Sequence, residues 1–80
     1  MKVKERKLGR EKAWGLAHQD ENLIEIDPRL KGKKRMEITV HEALHLIFPT
    51  LSETDVIRHS KKLTGLLWKQ GYRKVEIQTQ

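Results

Sequence analysis

Apolar and polar positions follow two different rhythms along this chain, and the change between them marks the main elements. Residues 13–18, with Ala13, Trp14, Leu16 and Ala17, and the run Leu23-Ile24-Glu25-Ile26 read as two short strands. The tetrapeptide Gln19-Asp20-Glu21-Asn22 between them is turn-like, so the pair predicts a β-hairpin ending at Asp27-Pro28, where proline cannot donate to a ladder. Upstream, residues 2–12 hold only Val3 and Leu8 among charged neighbours and predict a basic arm or a weak strand. Residues 29–34, interrupted by Gly32, predict a basic loop.

From residue 36 the period becomes helical. Met36, Val40, Ala43, Leu44 and Ile47 form one stripe on a helix predicted over residues 36–48. The stretch Met36 to Val40 also alternates like a strand, but the longer helical match decides the assignment. Pro49 disfavours helical backbone at Phe48 and ends the helix there. Ser52 and Asp55 then supply an S-x-x-D start signal for a second helix with a stripe of Val56, Leu63, Leu66 and Leu67, running to Gln70 and closed by Gly71. Residues 72–78 alternate again, as a final strand or a solvated tail. The expected fold class is therefore α+β: a hairpin or short sheet packed on two helices.

Size and charge sharpen this picture. A chain of 80 residues with 36% hydrophobic and 5% aromatic content makes one small domain whose thin core calls for help from a metal or a partner. With no cysteine, any metal must be held by His and carboxylate. No apolar run is long enough to span a bilayer, which gives the expectation of a soluble, cytoplasmic protein that does not engage membranes. The formal charge of +6 is concentrated in residues 2–12 and 31–35, while Asp20, Glu21, Glu25 and Asp27 make the middle acidic. Basic patches of this kind can attract nucleic acid or an acidic partner, or simply keep a small domain in solution.

The residues that carry chemistry lie on the first helix, as His41-Glu42-Ala43-Leu44-His45, an H-E-x-x-H motif. Side chains four apart sit one turn above each other, so both imidazoles can reach one tetrahedral Zn2+. Glu42 points about 100° away from His41, out of the ligand set but able to act as general base on a metal-activated water. A third ligand is needed. Glu53 follows the Pro49 corner and is the first choice; His59, on the edge of the second helix's stripe, is the alternative, with Asp55, His18 or no third ligand also open.

The run from Leu23-Ile24-Glu25-Ile26-Asp27 through His41-Glu42-x-x-His45 to Pro49, Leu51-Ser52-Glu53, Trp68 and Gly71-Tyr72-Arg73 resembles the minimal zincin metallopeptidases, as found in small phage and bacterial proteins. The resemblance implies zinc on His41 and His45, water activation by Glu42, a gluzincin-type third ligand at Glu53, and a peptide or protein substrate held antiparallel on an edge strand of the residue 14–26 hairpin. The metzincin pattern is absent, because Phe48 and Leu51 stand where its glycine and third histidine would be. His18, Arg58, His59 and Tyr72 are candidate oxyanion donors, without a spacing argument for any of them. A different class of function is also open: a catalytically inactive zincin-like domain, or a helix-turn-helix-like basic module using Arg58, Lys61, Lys62 and Lys69 on nucleic acid or a protein partner.

Overall fold

The computed structural model describes residues 1–75 of the chain. Three strands, β1 (Lys2–Glu5), β2 (Gly15–His18) and β3 (Leu23–Ile26), form one sheet in the order β1-β3-β2. Two helices follow, α1 (Gly32–Ile47) and α2 (Glu53–Lys69). The architecture is the α+β arrangement expected, with the H-E-x-x-H residues on the first helix.

The hairpin pairs β2 and β3 antiparallel, with Gly15 opposite Ile26 and His18 opposite Leu23. Its turn closes through Asn22 N–H donating to the Gln19 carbonyl at 3.2 Å, and Asn22 takes the left-handed conformation that asparagine tolerates. Residues 2–5 are a strand rather than an arm, pairing parallel to β3 with Val3 opposite Ile24. The hairpin's first strand begins at Gly15, two residues later than expected; Ala13 and Trp14 precede it, and the Trp14 ring lies under the Arg29 guanidinium at 5.1 Å.

Asp27 explains how the loops around the sheet hold their shape. Its side chain is fully buried and accepts from Leu8 N–H at 3.0 Å and from Arg29 N–H, Nε and Nη2 at 3.0, 2.9 and 2.8 Å. The Arg29 guanidinium holds this carboxyl well below the usual carboxylate range against the opposing effect of burial.

The region read as a basic loop is shorter than expected, because α1 starts at Gly32 and not at Met36. Lys33, Lys34 and Arg35 add no apolar period, yet Lys and Arg are good helix formers, and buried Leu30 anchors the chain just before the start. The apolar stripe also needs correction. Ile38, Ala43 and Leu46 pack on the core of Ile24, Ile26 and Leu30, whereas Ile47 is exposed. The helix is buried on two sides, one against the sheet and one against α2, and a single stripe cannot describe both.

The first turn of α2 is capped as the sequence implied, with the Ser52 hydroxyl accepting from Asp55 N–H at 3.2 Å. Gly71 follows its end at φ +91°, a left-handed conformation suited to glycine. The buried face of α2 is Val56, Ser60 and Thr64, not the leucine stripe: Leu63 and Leu66 are 43% and 56% exposed. Ser60 and Thr64 occupy the buried face, and the bulkier Leu63 and Leu66 lie towards solvent. Residues 72–75 form no strand and are exposed; the remainder of the expected final strand lies outside the described residues. No helix among the described residues is long and apolar enough to cross a membrane.

Candidate metal centre

Helical geometry brings His41 and His45 together on α1. Their Nε2 atoms are 3.3 Å apart, and the rings meet edge to face with centroids separated by 4.9 Å. Phe48 N–H donates to the Leu44 carbonyl at 2.8 Å and Leu51 N–H to the Phe48 carbonyl at 3.0 Å, so the chain reverses through a tight corner around Pro49. That reversal sets Glu53, the first residue of α2, beneath the two rings. Its Oε1 is 2.9 Å from His41 Nε2 and its Oε2 is 3.0 Å from His45 Nε2. The imidazoles are mostly buried while the Glu53 side chain is 60% exposed, so the carboxylate closes the pair from the solvent side.

Glu42 is buried on the neighbouring side of α1. Ligand atoms of His41, Glu42 and His45 all lie within 4.8 Å of one another, a group that could hold a metal ion. Burial pushes the Glu42 carboxyl above its ordinary value; positive charge on His41 and His45 works against this, and the Glu53 carboxylate adds to it.

The edge strand β2 forms the wall over Glu42. A Cβ placed on Gly15 would lie 2.7 Å from Ile38 Cγ2, 2.9 Å from Glu42 Cγ and 3.2 Å from Glu42 Oε2, so the absence of a side chain at Gly15 makes room for this carboxyl. Trp14 C=O accepts from Asp27 N–H, which makes Trp14 a hydrogen-bonded position of the antiparallel ladder. By the alternation of such ladders, the backbone N–H and C=O of Gly15 and Ala17 turn away from β3 to the open edge. Gln19 in the hairpin turn donates from Nε2 to the His45 carbonyl at 3.2 Å and fixes the hairpin to the end of α1.

The other residues singled out from the sequence are placed elsewhere. His59 is partly buried on α2, six residues or about 9 Å of helix rise beyond Glu53, and is outside the group around His41 and His45. His18 is on the opposite side of the sheet, where its Nε2 lies 2.6 Å from Glu25 Oε1. Asp55 accepts from Arg58 at 3.0 Å, and Tyr72 is exposed past the far end of α2.

Sequence reasoning missed Gly15, although a glycine inside a strand is the usual sign of a close approach by another group. It also missed the ion pair of Arg6 and Glu25, whose partners are 19 residues apart. No family model, curated protein or solved structure matches this chain.

Proposed function

We propose that the protein is a zinc-dependent peptidase of minimal zincin type, with zinc held by His41, His45 and Glu53 and with Glu42 as general base. The observation that carries this reading is the Glu53 carboxylate, set 2.9 and 3.0 Å from two imidazole nitrogens that are themselves 3.3 Å apart. Ligand atoms of a tetrahedral zinc bonded at about 2.0–2.1 Å stand roughly 3.3 Å from each other, which the two imidazole nitrogens match; Glu53 supplies a third donor of the right chemistry, its two oxygens now each at hydrogen-bonding distance from one ring. Two neutral imidazoles and one carboxylate also leave a fourth position open, which is the pattern of catalytic rather than structural sites.

When bound, zinc supplies Lewis acidity, polarising a carbonyl and bringing the pKa of a coordinated water towards neutrality. Glu42, outside the ligand set and raised in pKa by burial, receives the proton of the attacking water and passes it to the leaving amine nitrogen. The edge of β2 holds an extended peptide through the outward backbone groups of Gly15 and Ala17, beside Glu42. Gly15 keeps this wall low enough for substrate and general base to share the space.

Metal analysis of the purified protein tests the first half, with one zinc per chain expected and its loss in His45→Ala and Glu53→Ala. Glu42→Gln should retain zinc and lose turnover on a mixed peptide library. Undiminished zinc affinity in Glu53→Ala, or undiminished turnover in Glu42→Gln, would overturn the assignment. Zinc binding with no hydrolysis by the wild type would leave a metal-stabilised binding domain instead.

A further inference from the structure

A concavity separate from the histidine pair opens between β1, the first half of α1 and the end of α2. Its volume is about 440 Å³, within the range of metabolite pockets. Val3, Met36, Val40 and Trp68 give it an apolar interior, and Lys31, Arg35, Arg73 and Lys74 are its cationic lining; no acidic residue is among the described lining residues. The Thr39 hydroxyl in the wall is committed to the Arg35 carbonyl at 2.8 Å, so its hydrogen is directed into the helix.

Two guanidinium groups point to the ligand's chemistry. The Arg35 side chain is only 14% exposed, yet among the described residues its partner is Glu5 at 3.5 Å, the outer limit of a hydrogen bond, and that same carboxylate lies 3.7 Å from Lys74. A guanidinium carries five donors, and one so far from water gains most from a close bidentate anion. Arg73 is stacked 3.4 Å over the Trp68 ring and donates from Nη1 to the Trp68 and Tyr72 carbonyls at 2.9 and 2.8 Å. These bonds fix the guanidinium plane at the mouth and use one nitrogen, leaving the Nε–Nη2 edge with the geometry for a carboxylate or phosphate.

We propose that this cavity binds an amphipathic anion of metabolite size: an apolar, preferably flat body against Met36, Val40 and Trp68, and a single carboxylate or phosphate head on Arg35 and Arg73. Carboxylate and phosphate share the bidentate geometry, and probes of both kinds distinguish them. The site stands apart from the zinc reading, since none of its lining residues is His41, Glu42, His45 or Glu53.

Titration of the isotope-labelled full chain with 2-naphthoate, 1-naphthyl phosphate and the uncharged 2-naphthalenemethanol, followed by amide and indole NMR shifts, tests the proposal. At least one of the two anions should saturate with shifts centred on Val3, Arg35, Met36, Val40 and Trp68. The favoured anion should bind roughly tenfold or more tightly than the alcohol, the value of a charge-assisted bidentate contact. Arg35→Gln should weaken that anion about tenfold without strengthening the alcohol. Arg73→Gln, at the exposed mouth, gives the same readout should Arg35→Gln fail to fold. Equal affinity for the alcohol and both anions, shifts centred outside the cavity, or no effect of Arg73→Gln would overturn it.

Discussion

At the scale of single residues, the site depends on what is missing at Gly15 as much as on what is present at Glu42. A methyl group at Gly15 would meet Glu42 Cγ at 2.9 Å and Ile38 Cγ2 at 2.7 Å, and both side chains would have to move. Gly15→Ala should therefore destabilise the fold by about 1–3 kcal/mol, the usual range for overpacking, and should depress turnover further than that loss explains while leaving zinc bound. Thermal melts, metal analysis and peptide turnover on one preparation separate the two effects. On the other side of the sheet, Glu25 takes Arg6 Nε and Nη2 at 2.6 and 3.1 Å, and this pairing lowers its carboxyl to about 2 in spite of burial, with His18 lowering it further. A carboxyl depressed in the folded state stabilises fully above its unfolded value near 4.5, and the contribution is lost as the pH falls through about 2. Arg6→Ala should thus melt below the wild type at pH 7, with the gap closing towards pH 2. A gap that stays constant with pH would mean that Arg6 acts through packing alone.

At the scale of elements, α2 does two jobs that its sequence shows unequally. Its N-terminus was legible, because Ser52 and Asp55 form a local signal and Glu53 inherits its position from the cap and the Pro49 corner. Ser52→Ala should cost about 1 kcal/mol of stability and should also weaken zinc binding, though less than Glu53→Ala does, because the first turn then holds its carboxylate less firmly. A metal titration alongside a denaturant curve checks both parts. Its packing face was not legible, since Ser60 and Thr64 read as polar while Leu63 and Leu66 read as core. The structure buries the small polar residues, and Thr64 Oγ1 is left without a hydrogen-bond partner among the described residues. Thr64→Val keeps the branched shape and removes the stranded hydroxyl, so it should be neutral to stabilising by up to about 1 kcal/mol, as read from a denaturant midpoint.

At the scale of the whole molecule, what the sequence revealed was what local rules govern. The hairpin, the corner and the coincidence of His41, His45 and Glu53 all follow from spacings of a few residues, and they emerged at or near the expected positions. The parallel docking of β1 on β3, the hub at Asp27 and the Arg6–Glu25 pair depend on contacts across about 20 residues, which no local period encodes. The start of α1 was hidden for a related reason, because its first turn is basic and joins the helix through backbone propensity rather than an apolar face. The buried apolar set, led by Leu8, Ile24, Ile26, Leu30 and Val56, is small for two helices and a sheet, and Ile47, Phe48, Leu63 and Leu66 contribute little to it. A metal linking the end of α1 to the start of α2 would tie together two helices of which α2 buries only Val56, Ser60 and Thr64. Binding at a free concentration 100-fold above Kd stabilises the folded state by about 2.7 kcal/mol. In a domain of this size each kcal/mol moves the melting temperature by roughly 4–8 °C, so removing zinc with a chelator at neutral pH should lower it by at least about 10 °C. The same chelator should barely move the melt of Glu53→Ala, which has already lost the link between the helices. A wild-type melt indifferent to chelator would show instead that this sparse core holds the two helices together without metal.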